Sequence, residues 1–420
     1  MKTDKIFVQI ASYRDPQLVP TLRSLFENAK HPERFNIGIC WQHDETESLE
    51  EFEDHPNVTY LDYHYSDSQG LGWARSEVSK LWNNEGLTLQ FDSHHRFLKN
   101  WDVMMLDDYA QCWEYSDYPI LTTYLTPFQV SDWENEPQNI NPTPTLMSQY
   151  EFSNDKLLMS MPWYIQDYKE RTSVIKARTI SGHFYLADSD FINRVPYDPE
   201  IYFGGYCEEA TMSVRAWTHG YDFFSPYRQY IWHEYTREGR PKHWEDHGTE
   251  SKTGTLSNER DGFARKKTRQ LFGQEDNEID ISRKYGLGKV RSLRDYEIYT
   301  GLDFKNCKIQ DYTLKVKQPP NPIETEDDKE IDVKVFWDVD HFKERVKDNS
   351  YKFITFGVID KDEKEIYRND FTPDKDKDVF NYKVNSHVVK IKKGKVKGSR
   401  VVMFGMLSND QWTDPLEMEL

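Results

Sequence analysis

The sequence predicts an α/β domain built on a largely parallel sheet, followed by a small all-β domain. Three observations carry this reading. Across residues 1–300, apolar strand-like runs alternate with helix-periodic stretches, as expected of a sheet covered by helices on both faces. One of those strands runs straight into Asp92-Ser93-His94, so polar side chains fall where open α/β sheets bind ligands. Beyond residue 305 the pattern changes to short alternating strands between Lys/Asp-rich turns, which reads as a β-sandwich spanning 305–420.

Taken in order, Ile6–Ile10 is a buried strand, and Ala11-Ser12-Tyr13-Arg14-Asp15-Pro16 is the polar loop after it. A helix runs from Leu18 to Ala29, and Phe35–Trp41 and Val58–Tyr63 are the next strands. Gly70-Leu71-Gly72-Trp73-Ala74-Arg75 opens a helix with Val78, Leu81 and Trp82 at helical spacing. Leu87–Phe91 is the strand into Asp92, Trp101–Tyr115 a helix and Ile120–Tyr124 a strand. From Leu125 to Lys176, five prolines break the pattern. This reads as a loop-rich insertion, either facing substrate or packed on the sheet. Strand character returns over Ser181–Ala187, and a helix carries Met212, Val214 and Trp217, with Gly220 suited to its C-terminal end. Phe223–Ser225 and Gln229–Trp232 are short strands, the second ending in His233, and Asn258–Phe272 is a basic helix. In the last part, strands are expected at Ile331–Phe336, Lys352–Val358, Asn381–Val384, Val388–Ile391 and Arg400–Leu407.

Composition narrows the function. A net charge of −18 argues against a nucleic-acid partner or an anionic membrane surface. The four cysteines are dispersed with no CxxC, the habit of a reduced intracellular chain. The N-terminus is too brief for a signal peptide, and no apolar run approaches the roughly 18 residues of a membrane span. A cytoplasmic protein is expected.

Asp92 and His94 are oxygen and nitrogen donors suited to a divalent ion. Alternatively, Asp92 caps the next segment and His94 is surface loop. His233 at a late strand end can close a three-ligand site with open positions for a diphosphate and water. His243 and His247 form a rival pair, four apart as on one helical face, but lack the Glu of the metalloprotease pattern. Arg75, one turn inside a helix after glycines such as Gly72, suits a phosphate or a uracil edge. Ser12, Tyr13 and Arg14 follow the first strand, where nucleotides dock, and Tyr13 suits stacking on a base. Asp15 reads as a helix cap. Glu208 and Glu209 at a helix start either stabilise its dipole or bind sugar hydroxyls, and His183 lines the same pocket.

Taken together, Ile10–Asp15, Gly72–Arg75, Gln90–Phe97, Ser181–Phe184, Tyr202–Gly205, Trp217–Asp222 and Ile231–His233 resemble a known family. It is the cytoplasmic hydroxyproline polypeptide GlcNAc-transferases, which modify a ubiquitin-ligase adaptor subunit. The likeness covers roughly residues 5–240; more distantly the chain is similar to the polypeptide GalNAc-transferases. The resemblance implies a GT-A (Rossmann-like, nucleotide-sugar-binding) fold, a UDP-sugar donor with GlcNAc as first expectation, Mn²⁺ or Mg²⁺, and retention at the anomeric carbon. Carried over, Asp92, His94 and His233 are metal ligands. Ser12, Tyr13, Arg14, Gly72, Arg75 and Ser93 face the nucleotide, and Glu208, Glu209 and His183 are catalytic. In the family the acidic pair follows the glycines directly; here Tyr206 and Cys207 intervene, so either Glu meets the sugar. The expected acceptor is a protein or glycan hydroxyl. Residues 305–420 lie outside the resemblance and are expected either to dock the acceptor or to form a homo-oligomer.

Two other functions compete. One is a metal-dependent hydrolase using Asp92, His94, His243 and His247. The other is a non-catalytic carbohydrate-binding protein.

Overall fold

The computed structural model describes residues 3–135, 139–202, 206–236, 240–276, 278–323, 325–338, 340, 343–344, 350–381, 383 and 385–420, without the side chain of residue 326. The chain forms two compact units, Met1–Asn321 and Pro322–Leu420.

In the first unit, β1 (Thr3–Tyr13), α1 (Leu18–Asn28), β2 (Phe35–His43), β3 (Val58–His64), α2 (Leu71–Val78) and β4 (Glu85–Asp92) alternate as the apolar pattern predicts. There follow β5 (His95–Phe97), α3 (Trp101–Cys112), β6 (Pro119–Thr122) and α4 (Val130–Asn135). The hairpin β7 (Thr145–Phe152) and β8 (Leu158–Tyr164), β9 (Ile175–Lys176), β10 (Phe184–Asp188) and α5 (Phe191–Arg194) come next. The unit continues with α6 (Cys207–Thr218), β11 (Asp222–Ser225), β12 (Ile231–His233), α7 (His243–Asp246), α8 (Ser257–Leu271) and α9 (Leu293–Thr300). It closes with β13 (Leu302–Asp303), β14 (Lys308–Ile309) and α10 (Asp311–Leu314).

The main sheet has the order β3-β2-β1-β4-β10-β6-β11-β9. β1, β2, β3 and β4 pair in parallel, as do β6 and β11, whereas β10 runs antiparallel between β4 and β6. This is the α/β architecture expected of a GT-A domain, with one reversed strand in an otherwise parallel centre. Helices cover both faces. Ile6, Val8 and Ile10 of β1 meet Leu18, Leu22 and Leu25 of α1 and Trp101 and Met105 of α3 on one side. Tyr185 and Ala187 of β10 meet Val214 and Trp217 of α6 and Tyr296 of α9 on the other.

Two expectations need correction. The 125–176 stretch is not mainly loop: it holds the β7–β8 hairpin, in which Met147 pairs with Pro162. Pro162 hid that strand, since proline is tolerated only where no ladder N–H is needed. Residues 302–321 also belong to the first unit. Asn321 is buried, accepts from Arg178 Nη2 at 2.6 Å and donates to Thr313 Oγ1 at 2.8 Å, tying the segment down well past residue 305.

The second unit contains β15 (Glu330–Phe336), β16 (Tyr351–Ile359), β17 (Glu365–Phe371), β18 (Ser386–Lys392), β19 (Arg400–Leu407) and β20 (Leu416–Glu419). β15 pairs with β18, and β17-β16-β19-β20 form a four-stranded antiparallel sheet. One core holds Val335, Val389 and Ile391 from the first pair and Ile354, Phe356, Val401 and Met403 from the second, as in a sandwich. The strand expected at Asn381–Val384 falls partly on residues 382 and 384, outside the described residues; Asn381 itself closes a short helix, Lys377–Phe380. Among the described residues, no helix is long and apolar enough to cross a membrane.

Candidate active site

The cleft lies at the C-terminal rim of the parallel strands and encloses about 330 Å³, inside the range of small-molecule sites. Parallel pairing sets Ala11 of β1 beside Asp92 of β4, so the loop after β1 and the turn after β4 open together. β12 pairs antiparallel with β5, placing His233 opposite His95. That pairing brings His233 Nε2 to 3.3 Å from Asp92 Oδ2. His94 Nε2 lies 3.9 Å from the same oxygen, and the His94 ring meets that of His233 edge-on at 4.5 Å. His233 and His94 therefore both approach Asp92, His233 the more closely.

Burial opposes the Asp92 charge, but Arg75 and a hydrogen bond from His233 overcome it and hold the carboxyl well below its usual range. Burial, reinforced by His94, holds His233 neutral. A carboxylate beside a neutral imidazole is a donor set that fits Mn²⁺ or a similar cation. His233 Nδ1 is buried with no hydrogen-bond partner among the described residues. His183 also belongs here: ligand atoms of Asp92, His183 and His233 lie within 4.8 Å of one another. However, His183 Nε2 accepts the Leu125 N–H at 3.1 Å, which places the proton of the neutral ring on Nδ1 and leaves neither nitrogen bare.

Arg75 lines the cleft but is engaged within the protein. Its guanidinium is fully buried and donates to Asp92 Oδ1 at 2.5 Å, Gly182 O at 2.9 Å and Phe91 O at 3.0 Å. It thus holds Asp92 and ties β4 to the start of β10. The cause is depth: α2 packs its Arg75 face under the sheet rim with Trp73, Ala74 and Val78. Asp92 is held from a second side by its own N–H, which donates to His95 Nε2 at 3.2 Å. Burial keeps that imidazole neutral, and its Nδ1 bonds Trp232 O at 3.0 Å. His95 was overlooked because its only sequence signal was adjacency to His94.

Glu208 and Glu209 begin α6 after Tyr206, whose φ of +87° is strained for a bulky residue. Glycines 204 and 205 lie outside the described residues. Both acids line the cleft. Glu208 accepts from the Tyr197 hydroxyl at 3.0 Å and lies 3.6 Å from Arg75 Nε. Glu209 accepts the Gly182 N–H at 3.0 Å. Burial, with the Glu208 and Asp92 charges, pushes Glu209 up to about 8.

On the nucleotide side, Tyr13 lines the cleft. Its ring sits 5.0 Å from that of His243, and its hydroxyl donates to Asp246 Oδ2 at 2.7 Å. Ser93 also lines the cleft, but its hydroxyl donates to Asp15 Oδ2 at 2.6 Å. Ser12, Arg14 and Gly72 are engaged within the protein. Ser12 alternates away from the cleft into the sheet and is buried. Arg14 is bound to Asp44 at 2.9 Å and Asp246 at 3.0 Å, fastening α7 to the β1 loop. Gly72 packs against backbone: a Cβ there would lie 2.3 Å from Ile201 O. The glycine thus serves helix packing rather than phosphate approach.

The rival histidine pair stacks face to face at 4.2 Å. His243 Nδ1 meets the Tyr202 hydroxyl at 2.7 Å, and His247 Nε2 meets Tyr65 O at 3.2 Å. No carboxylate joins them in a ligand group among the described residues.

Comparison with known proteins places this geometry. A family model described as Glycosyltransferase (GlcNAc) matches residues 5–55 and 49–306, well over half of the chain. A search of the curated proteins finds no match. Among solved structures, the chain is similar to GalNAc-T7 with UDP, GalNAc and Mn²⁺, at 15% identity and a TM-score of 0.45, covering 74% of this chain and 56% of that one. S. aureus TarS matches at 12% identity and a TM-score of 0.37, over 99% of this chain and 77% of TarS. TarS 1–349 with UDP-GlcNAc matches at 15% identity and 0.34, over 57% of this chain and 60% of that one. The chain therefore spans little more than half the length of the GalNAc-T7 structure. On the strength of the family match, the chain belongs to the Glycosyltransferase (GlcNAc) family.

Proposed function

We propose that the protein is a retaining, metal-assisted glycosyltransferase that moves a sugar, GlcNAc before others, from a UDP-sugar to a hydroxyl of a protein or glycan. The observation that carries this is the meeting of Asp92, His94 and His233 in one cleft with the Glu208–Glu209 pair. Asp92, His94 and His233 would hold Mn²⁺ or Mg²⁺, which when bound supplies Lewis-acid neutralisation of the leaving diphosphate. Arg75 fixes the Asp92 carboxylate. Tyr13, propped by α7, offers a face for the uracil ring. Glu209, protonated at neutral pH, offers an O–H to a sugar hydroxyl. Glu208 steadies Arg75.

Retention is supported by the same acids. Inversion needs an ionised base free to take the acceptor proton, and Glu209 holds its own proton while Glu208 is tied to Tyr197 and Arg75. A same-face displacement needs no such base, because the departing phosphate accepts the proton. Tyr124 and Tyr235, stacked 5.2 Å apart on the cleft wall, suit an acceptor sugar or peptide ring.

The test is UDP release across a UDP-sugar panel with Mn²⁺, with and without acceptor. Asp92→Ala should abolish release with the fold retained by circular dichroism. Near-normal turnover of that variant at saturating donor would refute the assignment. A purely carbohydrate-binding protein would show no Mn²⁺-dependent UDP binding by calorimetry, and a hydrolase would cleave phosphoesters in place of the glycosyl bond.

A further inference from the structure

We infer that Asp15 is a positioning residue for the metal site: it fixes the tautomer of His94 so that Nε2 presents a lone pair toward Asp92. The inference rests on the proposed role of His94 as a ligand. Asp15 is 6% exposed, and its two oxygens do different work. Oδ1 accepts the Gln17 N–H at 2.9 Å, the helix-capping role expected of an Asp here. Oδ2 faces three groups: Ser93 Oγ at 2.6 Å, His94 Nδ1 at 2.7 Å and Arg240 Nη1 at 2.9 Å.

Arg240 Nη1 also lies 2.9 Å from His94 Nδ1, so two hydrogen placements compete. If Nδ1 were bare, its lone pair would face a carboxylate oxygen at 2.7 Å, acceptor against acceptor. With the proton on Nδ1, the imidazole donates to Asp15, and Arg240 donates to the same oxygen and, through Nη2, to Glu234 and Thr236 O, both at 2.8 Å. The second arrangement gives the imidazole N–H a carboxylate acceptor and removes the contact between two acceptors. It leaves Nε2, 3.9 Å from Asp92 Oδ2, as the bare nitrogen. A carboxylate behind a ligating histidine sets its orientation and raises its basicity.

The geometry separates this role from the cap. In Asp15→Asn, an amide oxygen kept on Gln17 turns the NH₂ toward His94. Nδ1 must then accept, and the proton moves to Nε2, the atom that faces the metal position.

The test has two readouts. In long-range ¹H–¹⁵N spectra of metal-free wild type, with His94 signals identified by comparison with His94→Gln, Nδ1 should carry the proton. A proton on Nε2 overturns the inference without any variant having to fold. Titration with Mn²⁺ alone, followed by the electron-paramagnetic-resonance signal of free Mn²⁺, should show affinity 10- to 100-fold weaker in Asp15→Asn. A change of less than twofold overturns the inference. If the wild type binds no Mn²⁺, the metal reading of the function fails instead, while the His94 tautomer still decides the role of Asp15.

Discussion

Replacing Gly72 by alanine tests how the cleft is held open. The new Cβ would lie 2.3 Å from Ile201 O and 2.5 Å from Asp198 O, both backbone atoms, where real contacts stay above 3.0 Å. The two segments must separate by roughly 0.7 Å, and neither can yield by a rotamer change. Overpacking of this kind costs about 2 kcal/mol. The Gly72 N–H to Ile201 O bond, 3.1 Å long, would stretch out of range and forfeit about 1 kcal/mol. Alanine returns up to about 1 kcal/mol through helix propensity. The net is about 2 kcal/mol, or roughly 3 °C in melting temperature for a unit of this size. Function should suffer more than stability. Arg75 lies one turn along the same helix and grips Asp92 at 2.5 Å, so the shift reaches the Asp92 carboxylate. Misplacement on that scale costs on the order of 100-fold in turnover. Thermal melts and Mn²⁺-dependent UDP binding are the assays. A variant that melts within 1 °C of wild type and binds UDP equally would refute the close-packing argument.

Further outcomes concern buried charge. Glu209 keeps its proton up to about 8 in the folded, metal-free protein, whereas the unfolded chain releases it near 4.5. Its contribution is therefore greatest below the lower value and falls as pH rises toward the upper one. Glu209→Gln should flatten that fall, and urea melts at pH 5 and pH 8 should differ from wild type by about 3–4 kcal/mol; parallel curves would refute the shift. Lys267, 4% exposed, pairs with Asp198, 5% exposed, at 2.6 Å. Lys267→Met strands that carboxylate and should cost about 3–5 kcal/mol, while Lys267→Met with Asp198→Asn should recover at least half. An unrecovered double variant would show that the pair is not what stabilises the site.

The strand–helix alternation and the approach of His233 to Asp92 were legible because both depend on local signals: periodicity for the elements, strand ends for Asp92 and His233. What escaped depends on partners distant in sequence. Arg75 follows glycines at a helix start, which is also how a phosphate-binding arginine looks; only Phe91 O and Gly182 O reveal its real partners. Arg14 and Ser12 sit where nucleotide contacts are expected, but strand alternation buries one and Asp246, over two hundred residues on, captures the other. β17, Glu365-Ile-Tyr-Arg-Asn-Asp-Phe371, was missed because it is rich in polar residues along an exposed outer strand. Asp15 was read as a cap, and it is one; its second oxygen has no signature in a single chain.

The reversed direction of β10 has a consequence for how specificity can change. β6 ends and β10 begins on the same rim, with Thr122 paired to Tyr185 and Phe184 to Phe91. The chain therefore leaves and re-enters the sheet beside the cleft, with Tyr124 and His183 on the cleft wall near the two ends. Closing a longer loop costs little, because the entropy grows only with the logarithm of its length. The ends of the excursion between those strands are fixed, since Thr126 O accepts the His233 N–H at 3.1 Å and Gly182 O accepts from Arg75 at 2.9 Å, so only its middle can change length without touching those contacts. Under the proposed function, that middle is the part to vary when a different acceptor is sought.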